Sequence, residues 1–319
     1  MVEIIKSLLK EKKIAYKEGY QLSKSSYFQT GGEVLLAIYP QSVSQLEFMI
    51  SFFTNKKLTY RIFGATSNCI FKDKTNLDYV IFTRKMRSIS FEKNSFEVES
   101  GVMLPRLCNL LAKKGISGFE ELQGIPGSIG GAIFMNAGCF GNEISKNLIS
   151  VKVVNPNGKI SEMSASDCKF RYRYSIFHNL NCVILSAKFR VAHSSAKSLM
   201  RRISFLHRYR HEILEYDYRN VGSVFVTHDI YSDFAKQKFQ FKFVLYFLRL
   251  FVYKIFRVKT NIVLNMVVLK MFNLERYSGI ISNKTMNVIV NNNTSTEQVE
   301  EYIKDVKKIT KNRVEIELI

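Results

Sequence analysis

Six glycines fall within eighteen residues, from Gly124 to Gly141, in a chain that has only 16 glycines in 319 residues. The run reads Gly124-Ile125-Pro126-Gly127-Ser128-Ile129-Gly130-Gly131-Ala132, followed by Asn136-Ala137-Gly138 and Gly141. Each glycine inside a helix or strand costs roughly 0.5–1 kcal/mol relative to alanine, so an ordinary core element would lose stability here. Two uses remain. One is a tortuous loop with unusual backbone angles. The other is bare main chain laid against a flat, phosphate-bearing ligand. A weaker signal of the second kind is Gly64-Ala65-Thr66-Ser67-Asn68, directly after the strand-like Tyr60–Phe63. Such a turn offers N–H groups and two hydroxyls to a pyrophosphate, although many turns carry these residues for conformational reasons.

Around these clusters the hydrophobic period switches between helix and strand. Val2, Ile5, Leu8 and Leu9 recur at helical spacing among Lys6, Lys10, Lys12 and Lys13. That is a short amphipathic helix, not the unbroken apolar core of a signal peptide. Val43, Leu46, Met49, Ile50 and Phe53 form one face of a helix over 42–54, and Tyr60–Phe63 and Leu77–Thr83 read as strands of an α/β unit. Ser88–Phe91 and Ser95–Val102 predict a hairpin, and Leu104–Lys114 a helix capped by Gly115. Val151–Val154 and Lys159–Met163 flank Asn155-Pro156-Asn157-Gly158, a second hairpin. Cys182–Val191 is a further strand, and Ser194–Tyr218 a charged helix. Thr294 with Glu297 predicts a capping box for a helix buried through Val299, Tyr302, Ile303, Val306 and Ile309. Val314, Ile316 and Leu318 alternate as a last strand.

The net charge of +20 suits nucleic acid, an anionic membrane or anionic small molecules, or reflects a lysine-rich source genome. Neither zinc-finger spacing nor an aromatic, glycine-rich RNA signature is present, so no nucleic-acid partner is expected. Five cysteines, Cys69, Cys108, Cys139, Cys168 and Cys182, are odd in number and never in Cys-x-x-Cys spacing. Neither a disulfide framework nor a metal site is expected, and a reducing cytoplasm fits. The segment Phe234–Leu274 has no acidic residue and carries Lys236, Lys238, Lys242, Arg249, Lys254, Arg257, Lys259 and Lys270 among apolar and aromatic residues. It lacks the roughly 18 charge-free residues of a spanning helix. Two readings stand: a pair of amphipathic helices packed on the domain, or a helix lying on an anionic membrane surface. The packed reading is preferred, because most amphipathic helices bury their apolar face in protein.

Gly118–Ile144, which reads GFEELQGIPGSIGGAIFMNAGCFGNEI, resembles the flavin-binding signature of the UDP-N-acetylenolpyruvoylglucosamine reductase family. Further blocks follow in the family's order. Phe28-Gln29-Thr30-Gly31-Gly32 resembles its Phe-Arg-Ile-Gly-Gly motif, and Phe63 to Asn68 its Gly-Gly-Gly-Ser-Asn loop. Phe170-Arg171-Tyr172-Arg173-Tyr174-Ser175-Ile176-Phe177, Gly222-Ser223-Val224-Phe225 and Lys284 to Asn291 resemble three more. The short interval between Val191 and Ser223 is similar to the family's shorter subclass.

The resemblance implies an α+β fold: two FAD-binding subdomains clamping the flavin (1–84 and 85–195), and an α+β substrate domain over 196–319 that holds the basic insertion. It implies FAD as cofactor, NADPH as co-substrate, UDP-N-acetylglucosamine enolpyruvate as substrate, and a monomer. FAD would be held by Gly64, Thr66, Ser67, Asn68, Gly124, Ile125, Pro126, Gly127, Ser128, Gly130, Gly131, Asn136 and Gly138. Arg173 would pair with the enolpyruvyl carboxylate, a match for a guanidinium fork. Ser223 would donate a proton. In the Gly-Gly-Gly-Ser-Asn loop two of the three glycines are Ala65 and Thr66 here, and further positions depart from the pattern. The family's lysine after Gly-Ser-Val-Phe is Val226, and a residue of the basic segment is its candidate replacement; its histidine after Lys284 is Thr285. An ungapped match sets the family's catalytic glutamate at Ile319 and leaves Glu317 as the candidate substitute. A catalytically weakened homologue that binds flavin or UDP-sugar, and a different FAD oxidoreductase of the same fold, are the competing readings.

Overall fold

The computed structural model describes residues 1–74, 77–250 and 261–319; Lys254, Arg257 and Lys259 of the basic segment lie outside them. In chain order the elements are α1 (Val2–Glu11), β1 (Ala15–Gln21), β2 (Glu33–Tyr39), α2 (Val43–Asn55), β3 (Tyr60–Phe63), β4 (Cys69–Ile70), β5 (Tyr79–Phe82), β6 (Ile89–Phe91) and β7 (Ser95–Glu99). Then come α3 (Leu104–Lys113), α4 (Ile129–Phe134), β8 (Gly138–Cys139), β9 (Asn142–Glu143), β10 (Leu148–Val154), β11 (Ile160–Ser164), β12 (Val183–Arg190), α5 (Ala196–Ile213) and β13 (Arg219–Ser223). The chain closes with α6 (Ile230–Ala235), α7 (Phe239–Leu248), α8 (Ile262–Met271), β14 (Ile281–Ser282), β15 (Thr285–Asn291), α9 (Thr296–Thr310) and β16 (Glu317–Leu318). The mixture is the expected α+β fold. The boundaries 1–84, 85–195 and 196–319 remain a proposal; by packing, the chain forms two compact units.

The first unit comprises Met1–Gln21, Glu33–Ala65 and Asn76–His207. Its four-stranded sheet has the order β1-β2-β5-β3, with β2, β5 and β3 parallel. α1 and α2 cover one face, burying Ile5, Leu9, Leu46, Met49, Ile50 and Phe53 against Leu36, Ile38 and Ile81. A five-stranded antiparallel sheet, β11-β10-β12-β7-β6, packs α3 and α4 through Val98, Leu107, Leu111, Ile129 and Ile133. Gly115 ends α3 as expected: at φ +72° it takes the left-handed position, and the Ile116 N–H donates to the Leu111 carbonyl at 2.9 Å. The β7 strand stops at Glu99 rather than Val102, because the chain turns at Ser100-Gly101. A Cβ on Gly101 would stand 1.9 Å from the Thr83 carbonyl oxygen.

The second unit comprises Leu22–Gly32, Thr66–Thr75 and Arg208–Ile319. Here β13-β15-β14 form a small antiparallel sheet, and β16 runs parallel to β4. Two expectations shift. α5 ends at Ile213 rather than Tyr218, where Glu215 takes hydrogen bonds from the Asp217 N–H and the Ser282 hydroxyl and draws the chain off the helix axis. The cap of α9 is Ser295, accepting from the Gln298 N–H at 3.2 Å, because Thr294 is buried and bonded to the Val290 carbonyl. The packed reading of the basic segment holds for the inner faces of its described helices: Phe234, Phe241, Leu245, Leu264 and Val268 lie in one core with Phe225 and Tyr302. Among the described residues no helix is long and apolar enough to cross a membrane.

Candidate functional site

In the first unit the glycine-dense segment zips onto the turn after β7. The Gly130 N–H donates to the Ser100 carbonyl at 2.8 Å and the Ile129 N–H to that of Val102 at 2.9 Å. Ser128 caps α4, accepting from the Gly131 N–H at 3.5 Å. The glycines divide by purpose. A Cβ on Gly64, which follows β3, would lie 2.0 Å from Ser128 Oγ; on Gly130, 3.0 Å from Ser100 Cβ; on Gly138, 2.6 Å from the Asn142 carbonyl oxygen. These three are bare because protein packs against them. Gly131 differs: only Ser128 Oγ, at 3.8 Å, comes near, and the residue is exposed. The sequence expectation assigns Gly64, Gly130, Gly131 and Gly138 alike to FAD, with a tortuous loop as the alternative.

Polar atoms left over in the same unit fit a ligand. Asn136, fully buried at φ +46°, donates from Nδ2 to Glu143 Oε2 and to the Arg171 carbonyl, each at 3.0 Å, while its Oδ1 accepts from no described group. Among the described residues Ser100 Oγ is buried without a hydrogen-bond partner, as are Nε and Nη2 of Arg84, whose guanidinium lies 4.4 Å from the Phe82 ring centroid. Burial lowers the Arg84 pKa. Buried polar atoms pair in about 90% of cases or more. The Ser100 hydroxyl and the Arg84 N–H groups are donors that fit an anionic group such as a diphosphate, whereas the Asn136 Oδ1 is an acceptor that fits an N–H or O–H of a ligand. Ser100 and Arg84 were not singled out by the sequence. The Ser-Gly pair after a strand was the available signal for the first, and none existed for the second.

Arg173 occupies a tight turn closed by the Arg171 N–H on the Tyr174 carbonyl at 3.0 Å and the reverse bond at 3.1 Å. Its φ of +53° is uncommon outside glycine and is held from below: buried Ser175 donates to the Phe134 carbonyl at 2.6 Å, tying the turn to α4.

The second unit holds the other predicted residues. Thr66, buried at φ +59°, accepts from the Tyr27 N–H at 3.0 Å, and Asn68 Nδ2 donates to the Glu315 carbonyl at 3.0 Å. Ser223 ends β13 beside a cavity of about 380 Å³ lined also by Thr227, His228, Asp229, Arg249 and Asn287. Buried Asn287 grips the next residues: its Oδ1 accepts from the Phe225 N–H at 2.8 Å and its Nδ2 donates to the Phe225 carbonyl at 2.9 Å. Arg249 reaches the cavity from the basic segment and pairs with Asp229 at 2.6 Å. Glu317 is exposed on β16, its N–H on the Asn68 carbonyl, and is not part of the cavity lining. Glu315 comes closer in register, donating its N–H to the Val224 carbonyl at 2.7 Å.

Known proteins resemble this chain in sequence and in fold. Residues 34–164 match the model of an FAD binding domain. The UDP-N-acetylenolpyruvoylglucosamine reductase of Streptococcus pneumoniae (strain JJA) is 33% identical over 228 residues, which span 70% of this chain and 73% of that one. The protein of the same name from strain Hungary19A-6 matches to the same extent. The crystal structure of the corresponding reductase from Thermus caldophilus superposes with a TM-score of 0.69 at 19% identity, covering 96% of this chain and 98% of that one, and shows the shared fold. The FAD-binding domain and these relatives identify an FAD-dependent oxidoreductase, and the chain belongs to the UDP-N-acetylenolpyruvoylglucosamine reductase family.

Proposed function

We propose that the chain reduces UDP-N-acetylglucosamine enolpyruvate to UDP-N-acetylmuramate, with NADPH as reductant, in peptidoglycan precursor synthesis. The observation that carries this reading is the set of orphaned buried polar atoms beside bare glycine backbone, in a chain of this family. The residues proposed to hold FAD are Gly64, Gly124, Ile125, Pro126, Gly127, Ser128, Gly130, Gly131, Asn136 and Gly138 with Ser100 and Arg84, and Thr66, Ser67 and Asn68. When bound, FAD supplies the hydride chemistry. Arg173 takes the enolpyruvyl carboxylate in a two-pronged grip and stabilises charge that spreads onto it. Ser223 holds the proton for the substrate carbon that does not receive hydride; Asn287 fixes the strand behind it. A serine hydroxyl is a weak acid, so position matters more than acidity. Arg249 is the proposed replacement for the lysine missing at Val226, offering a guanidinium to an anionic substrate in a cavity of small-ligand size.

The test starts with colour. Purified protein is expected to be yellow, to bleach when NADPH is added without oxygen, and to recover when the enolpyruvyl substrate follows. A well-folded preparation that stays colourless and refuses FAD overturns the cofactor assignment. One that bleaches but does not recover with substrate is the weakened homologue.

A further inference from the structure

The outer face of α7 is used by no part of the proposed reaction. Its inner side buries Phe241 and Leu245 in the core of the second unit. Its outer side carries Phe239, Phe243, Tyr246 and Phe247, which are 70%, 61%, 69% and 57% exposed. At the helical repeat these four fall within about 100° of arc. A helix that is apolar all round is expected to be buried on every side. This one stays on the surface with a second apolar face, made of rings.

The charge along the segment that carries those rings has one sign. Phe234–Leu274 contains no carboxylate. The acids just before it are already engaged: Asp233 with Lys236 at 2.7 Å and Asp229 with Arg249 at 2.6 Å. Lys238 turns back onto the Met271 carbonyl. Lys242 on α7 and Lys270 on α8 are exposed, with no acidic partner among the described residues.

We propose that α7 lies flat on an anionic lipid bilayer, its outer rings in the acyl boundary and Lys242 at the level of the phosphates. Interfacial helices join these two features, apolar rings for depth and basic side chains for the headgroups. A second copy of the chain suits the face less: a two-fold contact sets a basic surface against itself, with no carboxylate in the segment to meet it. A nucleic acid needs several phosphate contacts, and α7 offers one unpaired lysine.

The chain has no tryptophan, so Phe243→Trp installs a single reporter. Vesicles containing phosphatidylglycerol are expected to shift its emission to the blue, and brominated lipid to quench it; pure phosphatidylcholine vesicles are expected to do much less. In co-sedimentation with the same vesicles, Phe239→Ser/Phe243→Ser/Tyr246→Ser is expected to lower the bound fraction at least tenfold, and Lys242→Glu severalfold. Flavin content and NADPH turnover in vesicle-free buffer are expected to stay unchanged. Phe243→Glu alone carries the same test with the smallest alteration. The proposal is overturned by an emission maximum that ignores vesicles, or by equal sedimentation of parent and triple variant. It is also overturned if the triple variant abolishes self-association or oligonucleotide binding while the parent shows no affinity for lipid.

Discussion

Replacing Gly64 with alanine drives a methyl group into occupied space. The new Cβ would stand 2.0 Å from Ser128 Oγ and 3.1 Å from Ser128 Cβ. Carbon atoms rest about 3.5–4.0 Å apart, so the hydroxyl must swing away, and the two carbons stay crowded even then. Swinging it breaks the cap of α4, the bond from the Gly131 N–H. Loss of a cap costs about 1 kcal/mol and overpacking a further 1–3 kcal/mol or so, giving roughly 2–4 kcal/mol in all. Ser128→Gly removes the obstacle for only a few tenths of a kcal/mol, because glycine caps tolerably. The double variant is therefore expected near the parent, with a coupling energy of about 2–4 kcal/mol. Urea unfolding of the four proteins by circular dichroism measures this through the midpoints. Additive losses, or a Gly64→Ala protein within about 0.5 kcal/mol of the parent, refute the packing account. FAD titration of the same set separates the two uses of Gly64: if stability returns in the double variant but FAD affinity does not, Gly64 faces the cofactor as well as Ser128.

Four further outcomes are expected. Ser223→Ala leaves NADPH-driven bleaching of the flavin band intact and blocks its return on adding substrate; unimpaired single-turnover recovery removes Ser223 from the mechanism. Glu315→Gln is expected to slow substrate-dependent turnover more than Glu317→Gln, because Glu315 bonds the strand next to Ser223 while Glu317 is exposed outside the cavity lining; the opposite ranking returns the carboxylate role to Glu317. Burial opposes ionisation of Asp229, but hydrogen bonds from Ser232 and Arg249 outweigh it and hold its carboxyl below the usual range. A depressed folded pKa gives stability that is full above the unfolded value, near 3.8, and is lost as pH falls through the folded one. Asp229→Asn should therefore flatten the acid limb of a thermal-stability profile, and an unchanged limb counts against the pairing. Burial also pushes the Cys168 thiol up to about 11, so it should resist iodoacetamide at pH 8 in the folded protein and react in urea, as read by mass spectrometry.

Much of the fold was legible because neighbours in sequence settle it. The apolar face of α2, the Gly115 stop after α3 and the Asn155-Pro156-Asn157-Gly158 turn between β10 and β11 depend on residues a few positions apart. The start of α9 was not settled that way. Thr294 and Ser295 each precede an acid or amide by three residues, so both match a capping box. The choice falls to Ser295 because Thr294 is buried on the Val290 carbonyl and Thr296 is held from afar, its hydroxyl donating to Asp73 at 2.9 Å. A bond spanning more than two hundred residues leaves no local trace.

The glycine cluster shows the same limit at the site itself. Its density reads as bare main chain laid against a flat ligand or as a tortuous loop, and at Gly64, Gly130 and Gly138 the structure places protein close to the backbone. Whether protein or ligand lies there depends on which residue faces each Cα, and that is long-range information: Ser128 faces Gly64, and Ser100 faces Gly130. Among Gly64, Gly130, Gly131 and Gly138 only the exposed Gly131 is set apart from protein packing, and the stronger pointer beyond the protein is not a glycine. It is the unpartnered polar atoms of Ser100, Arg84 and Asn136, whose burial only the folded chain reveals. Bare backbone admits a flat cofactor, while an orphaned donor or acceptor requires a partner, because leaving it buried and unpaired costs about 1–3 kcal/mol. Removing those atoms should therefore weaken FAD binding while costing the apoprotein little, whereas substituting the packed glycines should cost stability first.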